Sequence, residues 1–303
     1  MEIIAPYSPI FLSDLVALWN VCFAGSHNFH PLSTLAFRRH VLFRPAFDPA
    51  ELLVSCVDGR VAGAVHVSRR HFSAPGRAAD PAEAIDESEA ALAIIFTHPR
   101  RRRRGIARRL LEQSLGGAAA AGARTVVIGG RSPFYDGLYG AYKQPGVPED
   151  NTPMLALASQ AGFQESEVEL LYESDLLVVP QRPSEPAVPV RFMVQARDTD
   201  TRITARLGGV DVGWVSFDRL NGVSDYRLRE KCSIYDLYVR EHYRRKGIGS
   251  ALFHLAMGRI RPMYKLCEFQ TFEGDAHEAS RHLALKYGFR VHSRWHHFTK
   301  SLA

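Results

Sequence analysis

The stretch YRRKGIGSALF, from Tyr243 to Phe253, decides how the fold of this chain is interpreted. About 140 residues earlier a similar stretch, RRRRGIARRLL, runs from Arg101 to Leu111. Each is a basic turn that ends in Gly-Ile-Gly or Gly-Ile-Ala and leads directly into a segment with helical spacing of apolar residues. The recurrence indicates that one structural unit is present twice in the chain.

Aligning Gly105 with Gly247 extends this likeness to the flanking sequence, because Thr97 then falls on Val239 and Arg102 on Arg244. Both copies predict a buried strand, a basic turn R-x-x-G-x-[G/A] and an amphipathic helix. Glycine permits a tight turn and a close anion, and a helix N-terminus adds partial positive charge. A pyrophosphate is the natural ligand. The alternative is two ordinary strand-to-helix turns, although each copy is also followed by a short helix and a Gly-Phe pair.

Composition and charge limit the function classes. The 303 residues suffice for two ordinary domains, and 46% hydrophobic with 23% charged residues is typical of a globular protein. The net charge of +6 suits a phosphate-bearing partner, although a basic solvated surface explains it equally well. No run is long enough for a membrane span, and the N-terminus lacks a secretory pattern. We therefore expect a cytoplasmic protein without a membrane partner.

The cysteines and histidines do not predict a metal site or a disulfide. The four cysteines are widely separated and form no C-x-x-C pair, which is typical of reduced thiols in a cytosolic protein. The thirteen histidines show no metal-ligand spacing. We accordingly expect no metal.

Prolines mark the predicted domain boundary. In VVPQRPSEPAVPV, residues 178–190, a proline recurs at every third position, which favours an extended polyproline-type linker. The predicted domains are therefore residues 1–177 and 191–303. The predicted element order of the first domain is β-α-α-β-β-β-α-β-α-β. Ser33 is predicted to cap its second helix, and Asp58-Gly59 is predicted to form the turn of a β-hairpin.

The second domain should repeat the later part of this order without the two opening helices. It is therefore predicted to be a truncated copy at its N-terminal end. Its open flank is expected to pack on another part of the chain or on another subunit, which leaves a homodimer open.

These features resemble the GNAT superfamily of acyl-CoA-dependent N-acetyltransferases, present in tandem as in mycothiol synthase. LYVREHYRRKGIGSALF matches the family pattern closely; IFTHPRRRRRGIARRLL matches it more loosely. The resemblance implies an α/β (α+β) fold of two domains, each a mixed, mostly antiparallel sheet flanked by helices. It also implies that the turn amides hold the pyrophosphate of acetyl-CoA. The implied cofactor-binding residues are Leu237, Tyr238, Val239, Arg244, Arg245, Lys246, Gly247, Ile248, Gly249 and Ser250 in the second copy, with Thr97, Arg102, Arg104, Gly105 and Ala107 in the first.

The family's usual acid and base are missing from both copies. Ala284 and Ala158 stand where many members have the tyrosine that protonates the thiolate. Tyr235 and Ala93 stand where a strand glutamate is frequent. A free thiol such as that of cysteine has a pKa of roughly 8.5, so a CoA thiolate is a tolerable leaving group and catalysis is not excluded.

Several other residues are candidates for the missing groups. In the second copy these are Tyr235, Glu273 and His277, with Asp275 nearby. In the first copy they are the residues of an inserted segment and of the stretch before the buried strand, namely Tyr135, Asp136, Tyr139, Tyr142, Glu87 and Glu89. Each also has an ordinary explanation, since a strand tyrosine usually packs and a histidine at a helix start is usually only polar.

The sequence thus predicts an acetyltransferase that transfers acetyl directly to a small amine, with the second copy favoured as the acetyl-CoA site because its turn matches better. The alternative is a non-catalytic CoA-binding or scaffolding protein. Nucleic-acid binding is disfavoured, because no aromatic-interleaved basic strand, zinc motif or helix-turn-helix signature is present.

Overall fold

A computed structural model gives the architecture of the chain. It describes all residues except 27, 28, 30, 45–46, 70–87, 130–133, 136–145, 180–181, 198–199, 220–229 and 303. The described chain forms two compact units. The first consists of residues 1–168 together with 295–303, and the second of residues 169–294.

The elements of the N-terminal half follow the predicted order, except that a two-residue strand, Val147–Pro148, is added before the last helix. Its strands are β1 (Glu2–Pro6), β2 (Leu52–Val57), β3 (Arg60–Ser68), β4 (Glu89–Thr97), β5 (Thr125–Ile128), β6 (Val147–Pro148) and β7 (Gln164–Ser174). Its helices are α1 (Leu12–Phe23), α2 (Thr34–Phe37), α3 (Ile106–Ala120) and α4 (Thr152–Gln160). Ser33 caps α2 through a hydrogen bond from the N–H of Ala36, as predicted. Asp58 and Gly59 take left-handed conformations in the β2–β3 hairpin.

The C-terminal half repeats this order without the opening helices. Its strands are β8 (Arg191–Arg197), β9 (Asp200–Leu207), β10 (Val210–Arg219), β11 (Lys231–Val239), β12 (Leu266–Phe272) and β13 (Arg290–Ser301), and its helices are α5 (Ile248–Ile260) and α6 (Glu278–Lys286). Only two residues separate β8 from its antiparallel neighbour β9. The prediction that this copy is truncated is therefore confirmed.

Each unit contains a mixed sheet in which one pair of neighbours is parallel. In the first unit β1, β2, β3 and β4 pair antiparallel in that order, and β4 pairs parallel with β5. In the second unit β8, β9, β10 and β11 do the same, and β11 pairs parallel with β12. Helix α3 or α5 makes the crossover between the parallel strands and packs its apolar face on the sheet. The predicted fold class is confirmed.

In each unit, the second strand of the parallel pair is also paired with a strand from the other half of the sequence. In the first unit β5 pairs antiparallel with the end of β13, where Phe298 lies opposite Ile128 and Ser301 opposite Thr125. In the second unit β12 pairs antiparallel with the end of β7, from Glu169 to Ser174. The two compact units divide after residue 168 and return the last nine residues to the first unit, and the domain boundary at residues 178–190 stays a prediction.

Candidate active site

The two basic turns have the same backbone conformation. In both turns the residue two positions before the glycine of the R-x-x-G-x-[G/A] pattern has a φ of 59°, at Arg103 and at Arg245. The glycine itself has a φ of 77° at Gly105 and 80° at Gly247, and in each turn the helix begins at the next residue. Left-handed φ values are costly for arginine, so their recurrence at matching positions indicates one shared device.

The first arginine of each turn is bonded back to the strand that precedes it. Arg102 donates from Nε to the carbonyl oxygen of Thr97 at 3.4 Å, and Arg244 donates from Nε to that of Val239 at 3.1 Å. These bonds connect the turn to the last residue of the strand. Phosphate contact by the remaining guanidinium nitrogens stays a prediction for both arginines.

A wedge opens beside each turn, because the parallel strands pair only at their beginnings. The parallel pairing ends at Ala91 in β4 and at Ile234 in β11, although each strand continues to the turn. A β-bulge follows at once in each strand, with one extra residue at Ala93 and at Tyr235 relative to the antiparallel neighbour. A bulge bends the strand and redirects side chains. Within the described pairing, the last part of each strand, beside the basic turn, therefore has no parallel partner.

The second turn borders a basic surface depression of about 550 Å³. Its lining combines three cationic side chains with one histidine and one carboxylate, namely Arg244, Arg245, Lys246, His242 and Glu241. The helix that starts at Ile248 has N–H groups in its first turn that no helical carbonyl can accept from. Positive side chains and free amide donors at one place favour an anionic ligand.

Tyr235 lies in a cluster of polar and aromatic side chains on the face of β9, β10 and β11. Its hydroxyl donates to Oδ1 of Asp200 at 2.7 Å, and Nε1 of Trp214 donates to Oδ2 of Asp236 at 2.5 Å. The Trp214 and Tyr238 ring centroids are 4.6 Å apart. We call these five residues the Tyr235 cluster. Two carboxylates beside aromatic faces are groups that attract a cationic amine.

Arg202 stacks on the Tyr235 cluster, with its guanidinium carbon 4.4 Å from the centroid of the Trp214 ring. Asp200, Trp214 and Asp236 were not among the residues predicted from the sequence. Strand alternation predicts which residues of β11 share a face of the sheet. The bulge at Tyr235 shifts that alternation by one residue, so the side of Asp236 could not be predicted from the sequence.

The other two catalytic candidates lie in the connection between β12 and α6, and each contacts a side chain outside that connection. Glu273 forms an ion pair with Nε of Arg294 at 2.9 Å, and the ring of His277 lies 5.5 Å from that of Phe272. A catalytic role for Glu273 or His277 stays a prediction.

In the first copy the wedge residue Thr97 lies under α1. The carbonyl oxygen of Thr97 accepts from Sγ of Cys22 at 3.4 Å, and burial raises the pKa of that thiol to about 11. The hydroxyl oxygen of Thr97 is buried without a hydrogen-bond partner among the described residues. The described surroundings of the first wedge thus hold a thiol that stays neutral at physiological pH.

Tyr135 of the inserted segment is a packing residue. It is fully buried, stacks on Trp19 with centroids 5.7 Å apart, and its hydroxyl lies 3.0 Å from Nδ1 of His66. Burial lowers the pKa of His66 to about 3 and raises that of Tyr135. This favours the ordinary explanation for Tyr135, which anchors its segment. Glu87, Asp136, Tyr139 and Tyr142 lie outside the described residues.

The two alanines that replace the family's tyrosine lie in the hydrophobic cores. Ala158 and Ala284 are both fully buried, each on the helix that precedes a Gly-Phe pair. Among the described residues, no three His, Cys, Asp or Glu side chains are grouped so that they could hold a metal ion. No helix in the described ranges has both the length and the apolar character that crossing a membrane requires.

Comparisons with known proteins agree with this architecture. A model described as the acetyltransferase (GNAT) domain matches residues 6–142, and one described as the acetyltransferase (GNAT) family matches residues 168–289. No curated protein matches the chain.

Solved structures give full-length matches. One is a tandem GNAT protein from the clavulanic acid biosynthesis pathway, with 15% identity, a TM-score of 0.66 and coverage of 100% of this chain and 99% of that one. A GCN5-related N-acetyltransferase from Sphaerobacter thermophilus has 16% identity, a TM-score of 0.65 and coverage of 99% and 96%. A glucosamine N-acetyltransferase region of a fungal multi-domain β-N-acetylglucosaminidase has 14% identity and a TM-score of 0.72, and covers 99% of this chain but 38% of that one.

Two sheets, each with a wedge and a basic turn and each matched by its own family model, define a class of acyl-transferring proteins. The chain belongs to the GNAT acetyltransferase family and carries two GNAT domains in tandem.

Proposed function

We propose that the protein is an acetyl-CoA-dependent N-acetyltransferase that acetylates a small amine by direct transfer in its second domain. The observation that carries this proposal is the second turn itself. Its left-handed residues at Arg245 and Gly247, its helix start and its basic depression lie beside the wedge of β11. An acyl-CoA thioester would supply the acetyl group.

The second turn supplies the groups that would bind the phosphates of acetyl-CoA. The N–H groups from Gly247 to Ser250 lie at the start of α5, and the side chains of Arg245 and Lys246 line the depression. Amide donors and cations together bind a pyrophosphate more strongly than either alone. Backbone N–H groups near Val239, at the open end of the wedge, would stabilise the negative charge that develops on the carbonyl oxygen.

The Tyr235 cluster supports a cationic amine as the acceptor. The carboxylates of Asp200 and Asp236 would attract the ammonium form, and the Trp214 and Tyr238 rings would contact its apolar part. The attacking amine must be neutral, so a carboxylate of this cluster would take up its proton. The Tyr235 hydroxyl, held by Asp200, is our candidate for protonating the thiolate.

Calorimetry with acetyl-CoA tests which turn binds, on the intact protein and on two matched variants, Gly247→Glu and Gly105→Glu. Each variant places a carboxylate at the start of an anion-binding helix. We expect Gly247→Glu to weaken binding about 100-fold, because like charges in contact cost several kcal/mol. Gly105→Glu should bind as the unchanged protein does.

Other outcomes of this titration have definite meanings. Loss of binding only in Gly105→Glu would transfer the site to the first domain. Absence of binding to the folded, unchanged protein would contradict the enzyme proposal. Binding without release of free CoA thiol across a panel of amines would favour the alternative of a CoA-binding scaffold.

A further inference from the structure

The proline segment, defined here as residues 182–190, is attached to the second basic turn. The N–H of Ala187 donates to the carbonyl oxygen of Lys246 at 3.0 Å. Cα of Pro186 lies 3.4 Å from where a Cβ on Gly247 would be. Val188 and Val190 pack against the hydrophobic core of the second domain. The segment therefore contacts the turn through its backbone and the core through its valines.

The chain just before the proline segment is held at the opposite end of helix α5. The guanidinium of Arg261, which follows the last residue of α5, donates to the carbonyl oxygen of Val178. The isopropyl group of Val178 lies against Gly288. Val178 is thus attached near the C-terminal end of α5, and Ala187 is attached near the N-terminal end of the same helix.

In the first domain the corresponding carbonyl has a different donor. Nη2 of Arg109 donates to the carbonyl oxygen of Arg104 at 3.1 Å. Nη1 of Arg109 lies 2.6 Å from where a Cβ on Gly105 would be, so this guanidinium occupies the place that Pro186 takes in the second domain. An ion pair with Glu2 holds Arg109 there.

The sequence explains why the second turn needs another donor. The alignment of Gly105 with Gly247 puts Ala251 at the position of Arg109, and an alanine side chain has no donor. The turn also contains a left-handed arginine, which persists only where the surroundings hold it. In both turns the carbonyl oxygen before the glycine therefore accepts a hydrogen bond. The donor is the Arg109 side chain in the first turn and the backbone N–H of Ala187 in the second.

We propose that the proline segment is a strap that holds the second basic turn in its anion-binding conformation, with the N–H of Ala187 as the positioning group that replaces the Arg109 guanidinium. Proline suits this role because it fixes φ and so lowers the entropy lost when the strap docks. The effect on acetyl-CoA binding rests on the proposed function, whereas the bracing of the turn does not.

Limited proteolysis tests the bracing directly, since trypsin can cut after Arg244, Arg245 and Lys246. Ala187→Pro removes the N–H, and we expect cleavage in the second turn to become about fivefold faster, as for loss of one backbone hydrogen bond. The matched control is Ser184→Pro, which also introduces a proline, at an exposed position of the same segment. It should leave the cleavage rate unchanged.

A second control uses the first turn. Arg109→Ala should speed cleavage after residues 101–104 and leave the second turn unaffected, while Ala187→Pro should do the reverse. Circular dichroism verifies that each variant is folded. Equal cleavage of the second turn in Ala187→Pro and in the unchanged protein would overturn the strap.

Steady-state kinetics tests the consequence for the proposed reaction. We expect Ala187→Pro to raise KM for acetyl-CoA about fivefold with kcat unchanged, because a pre-ordered turn contributes equally to binding and to the transition state. A fall in kcat at constant KM would contradict positioning of the turn. Faster proteolysis in a protein that binds no acetyl-CoA would retain the strap and overturn the proposed function.

Discussion

Tyr235 is the residue on which the proposed chemistry depends most. Its hydroxyl is 2.7 Å from Asp200 and lies on the bulge beside the wedge. Tyr235→Phe removes the hydroxyl and keeps the ring, so we expect kcat to fall about 100-fold, the usual contribution of a general acid. The affinity for acetyl-CoA in calorimetry should stay the same.

A change at its partner separates chemistry from packing. Asp200→Asn keeps an acceptor for the Tyr235 hydroxyl, so kcat should fall less than in Tyr235→Phe. If Tyr235→Phe retains full kcat, the tyrosine is a packing residue and the proton donor must be sought elsewhere.

His66 gives a pH dependence of stability in the first domain. Burial lowers its pKa from 6.5 to about 3, so below pH 6.5 the unfolded chain binds a proton that the folded chain does not. Stability is therefore lost as pH falls. Its share of the unfolding free energy should drop by roughly 3 kcal/mol between pH 7 and pH 4.

Urea unfolding at both pH values tests this share. His66→Asn keeps a hydrogen-bond partner for Tyr135 and removes the titrating group. Between pH 7 and pH 4 this variant should therefore lose roughly 3 kcal/mol less unfolding free energy than the unchanged protein. His282→Asn, at an exposed histidine, serves as the control and should behave as the unchanged protein does. Equal acid sensitivity in all three proteins would contradict the assignment to His66.

Among the elements, the antiparallel pairs β3–β4 and β10–β11 differ in how tightly they pack at equivalent glycines. A Cβ on Gly213 of β10 would lie 2.8 Å from the carbonyl oxygen of Tyr238. A Cβ on Gly63 of β3 would meet Ile106 and a carbonyl oxygen only at 3.1 Å. Gly213→Ala must therefore push β10 from β11, at an expected cost of about 1–3 kcal/mol.

Gly63→Ala is the matched variant and should cost less, because the Ile106 side chain can move. The midpoints of urea unfolding measure both. A larger loss of stability in Gly63→Ala than in Gly213→Ala would show that the pair β10–β11 is not packed more tightly than the pair β3–β4.

Elements whose identity is local could be predicted from the sequence. The hairpin at Asp58-Gly59 and the cap at Ser33 both occur where their patterns indicated, because turn formation and side-chain capping act over a few residues. The basic turns could be predicted for the same reason.

Pairings between distant segments could not be predicted. The patterns of β7 and β13 indicate strands but not which sheet edge each one joins. The bond from Ala187 to Lys246 was equally inaccessible, since every residue but proline carries the same backbone donor. In the candidate site, Tyr235 was found because it replaces a family residue, whereas Asp200 comes from a strand whose register only the fold defines.

On the scale of the whole molecule, the exchanged strands predict that the halves depend on each other. A fragment of residues 1–177 lacks the segment that pairs with β5, and a fragment of residues 191–303 lacks the one that pairs with β12. We expect neither to fold alone, because each would expose an unpaired, largely apolar sheet edge. Expressed together, they should copurify.

Size-exclusion chromatography and near-ultraviolet circular dichroism measure this outcome. The uncut chain is the control. A fragment of residues 1–177 that is monomeric and unfolds cooperatively by itself would contradict the dependence and would make the boundary at residues 178–190 a true division between independent domains.

The exchange of strands also sets an order of events during synthesis. Domains usually fold one after another as the chain leaves the ribosome, N-terminal first. Here the N-terminal sheet cannot close until residues 295–303 have been translated and released. Its β5 edge must stay unpaired while residues 129–294 are translated, and a chaperone that shields such an edge would raise the yield of native protein.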